Sequence, residues 1–380
     1  MKFIYILLIL WSTPSFANEK FCVDALQNRL FAANPVKTTK ILTEKDVRTI
    51  VEVVGLDRFM DELIHQLSIG LPMVGTPAVE TYARHGFANT NPQPGMLEWM
   101  PVKYKMAATI KVVAYNPDNN DKGLPTIVAV NNLYNVNTGH LIAAIDGILP
   151  TAMRTGAASA VASRALANPN STTLGLVGCG AQAVTQAHAL SRVYNLKSIL
   201  CYDIVPGKAE IFVQHLSGIG LTAKPATLQE VEKNSDIICT VTSVGVGQGP
   251  VLTGQNLKPN VHINAVGSDL PGKTEVPKNT LLKAMVCPDF REQARHEGEI
   301  QQLTEDQIGP ELGEVLRQPG RFAWNGITVF DSTGLAFEDM IVTSLLLQKA
   351  NELGLGRDIP IESQADPTNP YGSIRRRMPR

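Results

Sequence analysis

The pattern of apolar and polar positions changes character near residue 150. Before it, helical and strand spacings are mixed. Thr43-Glu44-Lys45-Asp46 precedes apolar Val47, Ile50, Val51 and Val54, a helical spacing. This predicts an amphipathic helix whose free first-turn amides are capped by Thr43. Residues 106–115 and 126–134 are β-branched and apolar, bounded by Pro, Asn and Gly, and predict strands; residues 89–95 and 116–123 predict turns. From Thr151 a helix of small residues over 151–167 leads into the short apolar runs LGLVG, SILCYD, DIICTV, HINAVG, AMVCPD and ITVFD, separated by helical segments. Strands this apolar are buried on both faces, and their alternation with helices implies a parallel sheet with right-handed crossovers. A last helical segment, 338–353, is expected to return to the first part. The fold class is α/β: a Rossmann-type doubly wound nucleotide-binding domain over 151–334, and an α+β domain built from 18–150 and 335–380.

Composition narrows the function. With 380 residues, 44% hydrophobic and 18% charged, the chain is long enough for two cored domains, which excludes disordered and fibrous classes. The 34 basic and 35 acidic residues form no long single-sign runs, so nothing marks a nucleic-acid partner. Arg375 to Arg377 reads as a solvated tail. The five cysteines are distant in sequence and form no CxxC pair, so neither a zinc site nor a redox dithiol is expected; Cys201, Cys239 and Cys287 lie in apolar runs and read as small buried hydrophobes. Residues 1–17 combine Lys2, an apolar run and the small-residue ending Ser15-Phe16-Ala17. That is the pattern of an export signal cleaved after Ala17, too short for a stable membrane span, and it points to a periplasmic or secreted protein.

The chemistry begins at Gly178-Cys179-Gly180-Ala181-Gln182-Ala183, which follows the run LGLV and opens a helical segment. In the GxGxxA turn, Gly178 allows the tight bend, Gly180 lets the backbone approach a pyrophosphate, and Ala183 lets helix and strand pack closely. Ala181 and Gln182 open the helix, whose first amides attract an anion. A tight turn without ligand gives the same glycines, so Asp203 matters: it ends the next strand, where a carboxylate holds the ribose hydroxyls and repels a 2′-phosphate. NAD is therefore expected over NADP, although Asp at a strand end is also a common turn residue.

The run Asn264-Ala265-Val266-Gly267-Ser268-Asp269-Leu270-Pro271-Gly272-Lys273-Thr274-Glu275 resembles the signature of bacterial ornithine cyclodeaminases, whose family includes μ-crystallin. Further similarity lies in Thr151-Ala152-Met153-Arg154-Thr155-Gly156-Ala157, the glycine turn, Glu297-Gly298-Glu299-Ile300-Gln301-Gln302 and Val329-Phe330-Asp331-Ser332-Thr333-Gly334. The resemblance implies a homodimer whose α+β part binds a small amino acid. It places the substrate carboxylate on Arg84, Lys111 and Arg154, and the distal amine on Glu98 and Asp269. Asp269 is implied as the catalytic base that frees this amine to attack. The cofactor NAD would remove and return one hydride, converting L-ornithine to L-proline and ammonia. Thr126, Thr155 and the Asp331-Ser332-Thr333 segment are implied to lie near the cofactor. Each residue also has an ordinary reading: surface charge for Arg84 and Arg154, a turn for Asp269. Lys111 is the exception, because it interrupts the apolar run ATIKVVAY and is costly to bury without an anion. A ketimine reductase, an amino-acid dehydrogenase and a non-catalytic crystallin-like binder are the alternatives. Two departures stand out: Cys179 within the glycine turn, and an export signal on a chain whose cofactor is kept in the cytoplasm.

Overall fold

The six apolar runs become Thr173–Val177, Ser198–Tyr202, Ile237–Thr240, His262–Ala265, Met285–Pro288 and Thr328–Asp331, all neighbours in one parallel sheet. The computed structural model describes residues 20–30, 38–89, 95–320, 322–362, 368–369 and 371. The expected export signal, residues 90–94 of the first turn and the Arg375–Arg377 cluster lie outside the described residues. A seventh strand, Lys224–Pro225, closes one edge beside Ser198–Tyr202. It escaped the apolar pattern because it is two exposed residues long, and its proline is tolerated at an edge. The strand order reverses beside Thr173–Val177, flanked by Ser198–Tyr202 on one side and Ile237–Thr240 on the other. Such a switch point opens a crevice at the strand ends, where Gly178 lies.

The small-residue helix spans Ile148–Leu166, starting three residues before the expected Thr151. Pro150 is accommodated because first-turn amides have no partner within the helix. Its small residues serve close packing. A Cβ at Gly156 would stand 2.5 Å from the Thr185 carbonyl oxygen, on the neighbouring helix Ala181–Val193.

The other sheet has eight strands. Along the path run Arg357–Ile359, Thr39–Leu42, Leu141–Asp146, Ile127–Asn135, Ala107–Tyr115, Gly95–Tyr104 and Val79–Thr81, with His85–Asn89 paired to Gly95–Tyr104. Alternation along these strands turns Glu98, Met100, Thr109, Lys111, Asn131 and Leu133 inward. The final helix, Ala336–Leu353, is buried on nearly every side and packs under this face together with Glu44–Val54 and Leu56–Gly70. Thr43 caps Glu44–Val54 through a reciprocal box with Asp46, as expected. The 116–123 turn contains a 3₁₀ helix, Pro117–Lys122. The opposite face of the sheet leaves Leu97, Trp99, Ile110, Val112, Val128 and Val130 exposed. Among the described residues, no helix is long and apolar enough to cross a membrane.

Candidate active site

The glycine turn has the geometry its sequence suggests. Gly178 takes φ +94°, a left-handed conformation that disfavours side chains, and a Cβ there would lie 2.8 Å from the Val241 carbonyl oxygen. Gly180 precedes the helix Ala181–Val193, which has no side-chain cap. Nothing lies within 4 Å of a Cβ placed on Gly180. The uncapped amides of Ala181 and Gln182 therefore begin a helix dipole at an open concavity, which fits an anionic pyrophosphate. Ala183 is fully buried, as close packing requires.

Asp203 serves this turn directly. Its carboxylate accepts from the Cys179 amide at 2.9 Å and from the Val205 amide at 2.8 Å. It thus acts as a turn residue at the glycine turn. The Thr155 hydroxyl is spent within its helix on the Thr151 carbonyl at 2.8 Å. The Thr126 carbonyl accepts from the Asn116 amide at 2.9 Å. Ser332 is buried, and its hydroxyl has no hydrogen-bond partner among the described residues, so a polar group remains available at the strand end. Asp331 is structural: fully buried, it accepts from the Glu299 and Ile300 amides at 2.8 and 2.9 Å.

The expected substrate cations converge, each against an acid. The Lys111 ammonium pairs with Asp339 at 2.9 Å, and Arg154 pairs with Glu338 at 2.7 Å and Asp339 at 3.3 Å. Burial brings Lys111 down to about 8, with Asp339 opposing and Arg154 adding to the effect. Burial pushes Glu338 up to about 7. Glu338 and Asp339 were missed in the sequence; both occupy the first turn of Ala336–Leu353, so their signal was a pair of acids heading an otherwise apolar helix.

Arg84, expected on the substrate carboxylate, stands instead between Glu98, one of the two acids expected for the distal amine, and Glu297, which the sequence did not single out. It pairs with Glu297 at 2.9 Å and Glu98 at 3.5 Å, and donates to the carbonyls of Thr333 and Gly334. Glu98 is buried, which raises its carboxyl. Glu297 is raised to about 8 by burial, with Arg84 opposing and Glu98, Asp269 and Asp289 repelling its charge. Asp269 is ion-paired at 2.7 Å with Lys273, whose ammonium is buried 5.8 Å from the Tyr115 ring centre. The signature loop is braced by the buried Glu275, which accepts from the Thr242 amide, the Thr242 hydroxyl and the Gly267 amide, all at 2.7 Å. Carboxyl groups therefore outnumber cations in the cluster, with Glu98, Asp269, Glu297, Glu338 and Asp339 facing Arg84, Lys111, Arg154 and Lys273.

A family model described as ornithine cyclodeaminase/mu-crystallin matches residues 43–353. An L-lysine cyclodeaminase from Streptomyces rapamycinicus is 43% identical over 339 residues, covering 88% of this chain and 99% of the relative. A solved lysine cyclodeaminase, studied for its recognition of L-lysine, L-ornithine and L-2,4-diamino butyric acid, superposes with a TM-score of 0.84 at 44% identity, covering 88% of this chain and 99% of its own. An archaeal alanine dehydrogenase, a dimer with bound NAD, superposes with a TM-score of 0.78 at 31% identity, covering 86% and 100%.

Proposed function

The chain belongs to the ornithine cyclodeaminase/mu-crystallin family, and from that premise we propose that it is an NAD-dependent cyclodeaminase of an α,ω-diamino acid, L-lysine or L-ornithine. The observation that carries this reading is the cluster of Glu98, Glu297 and Asp269 around one guanidinium, beside the buried Lys111 and Arg154. A substrate with a carboxylate at one end and an ammonium at the other suits such a cleft, because each buried charge then meets its opposite. An amino acid without a distal amine leaves the acidic end uncompensated. The ornithine substrate expected from the signature thus widens to two chain lengths, which the relatives also span.

Bound NAD supplies a hydride acceptor at the substrate α-carbon and later returns the hydride. The chain's own residues do the rest. Lys111 and Arg154 orient the carboxylate; Arg84 reaches the same substrate from the acidic side and holds the Glu98 and Glu297 side chains in place. Asp269 accepts a proton from the distal ammonium, leaving a free amine as nucleophile. Lys273 keeps the Asp269 carboxylate oriented. Assembly follows the same reading: the exposed Leu97, Trp99, Val112 and Val130 form an apolar face, the surface we assign to contact between two copies.

Incubation of the purified chain with NAD and isotope-labelled L-lysine or L-ornithine tests the function. A cyclic imino acid and ammonia are expected from at least one substrate, with no NADH accumulating. Accumulation of NADH with L-alanine and no cyclic product from either diamino acid would replace the reading with a dehydrogenase.

A further inference from the structure

The glycine turn packs together two cysteines that are distant in sequence. Cys201 lies in register with Leu176 on the adjacent parallel strand. Beyond Leu176 the chain folds back over the end of that strand: the Gly178 amide donates to the Tyr202 carbonyl at 2.9 Å, and the Cys179 amide donates to Asp203 at 2.9 Å. Cys179 is thereby packed on the apolar cluster that contains Cys201. Cys201 is fully buried, whereas Cys179 is partly exposed and meets solvent first. Cys22, Cys239 and Cys287 are buried.

We propose that Cys179 and Cys201 form a reversible modification site, in which a peroxide links them as a disulfide and the linked turn binds the dinucleotide more weakly. The second half rests on the reading of this turn as the cofactor site. The Cys179 sulfur attacks one oxygen of hydrogen peroxide, the O–O bond breaks, one water leaves, and Cys179 becomes a sulfenic acid. The Cys201 sulfur then attacks the Cys179 sulfur, the S–O bond breaks, and a second water leaves. Two thiols are oxidised by two electrons in total, and one peroxide is reduced to two waters.

Geometry gives the link its consequence. A disulfide demands Cα atoms roughly 4.4–6.8 Å apart and a narrow range of dihedral angles. Meeting that demand fixes residue 179, which stands between the left-handed Gly178 and Gly180, the residue before the uncapped helix. The backbone that must approach a pyrophosphate is then tied to the sheet.

The full chain is reduced, then treated with hydrogen peroxide with and without saturating NAD, followed by peptide mass mapping, thiol titration and NAD titration by calorimetry. The expected result is one Cys179–Cys201 cross-link, the loss of two of five titratable thiols, and an NAD affinity lower on the order of tenfold. Dithiothreitol should restore binding, and prior NAD should slow linkage. Cys201→Ala, with Cys201→Ser as a second variant should alanine fail to fold, should keep its NAD affinity after the same mild treatment. A cross-link that leaves affinity unchanged overturns the proposal, as does irreversible oxidation of Cys179 with no cross-link. A reduced protein that binds no NAD removes the cofactor reading and the second half of the proposal, while the mass map still decides the first.

Discussion

Asp269 and Glu297 lie in one cluster, but their environments assign them different work. Asp269 is the more open of the two, 39% exposed at its side chain and held by Lys273, whereas Glu297 is 7% exposed and crowded by other carboxylates. Asp269→Asn keeps the size and removes the base we propose, so cyclisation should fall by about 10²–10⁴ in product assays while NAD still binds in calorimetry. Glu297 gives a pH signature. Its folded value of about 8 lies above its ordinary 4.5, so the fold retains a proton that the unfolded chain releases. The stability this contributes is full below about pH 4.5 and is lost as pH rises through about 8. Glu297→Gln should flatten that dependence, read as melting temperature against pH; an unchanged slope would show that Glu297 ionises normally. At this scale Lys111 was legible in the sequence because a cation inside an apolar strand demands an anion. Its partner Asp339 was not, because an acid near a helix start is already explained by the helix dipole. The role of Lys273 was hidden for a similar reason, since a lysine in a Pro-Gly turn reads as a solvated charge.

The elements were legible wherever burial acts on both faces. Six of the seven parallel strands stand out as apolar runs, and the capped Glu44–Val54 helix declares itself through Thr43 and Asp46. The two-residue strand Lys224–Pro225 does not, since an exposed edge imposes no apolar pattern. The tight approach of Ile148–Leu166 to Ala181–Val193 was foreshadowed by composition alone, through the density of Ala, Ser and Gly. Gly156 is a close point of that crossing, so Gly156→Val should drive the helices apart. Overpacking of this kind costs typically about 1–3 kcal/mol, measurable by denaturant unfolding. Because the Ala181–Val193 helix begins at the glycine turn, NAD affinity should fall in the same variant. Stability lost with NAD affinity unchanged would mean that the helix start does not follow its packing.

At the scale of the whole molecule, the exposed face of the eight-stranded sheet is apolar across three adjacent strands. Leu97, Trp99, Ile110, Val112, Val128 and Val130 are each between 36% and 45% exposed, on adjacent strands and turned the same way. Val112→Lys puts a charge in the middle of that face. In light scattering, the wild-type chain should run at twice the mass of the variant; a wild-type monomer would exclude the assigned contact. The face was only partly visible in the sequence, because residues 106–115 predicted a strand but not which side it buries.

The last helix and strand carry a temporal consequence. The parallel sheet is complete once the chain has emerged through Asp331, whereas the eight-stranded sheet still lacks its edge, Arg357–Ile359, and the core beneath it, Ala336–Leu353. With synthesis running at about 5–20 residues per second, the first-made strands wait longest for their partners. Lys111 and Arg154 spend that interval without Asp339 and Glu338, so the ribosome delivers both buried cations well before the acids that neutralise them.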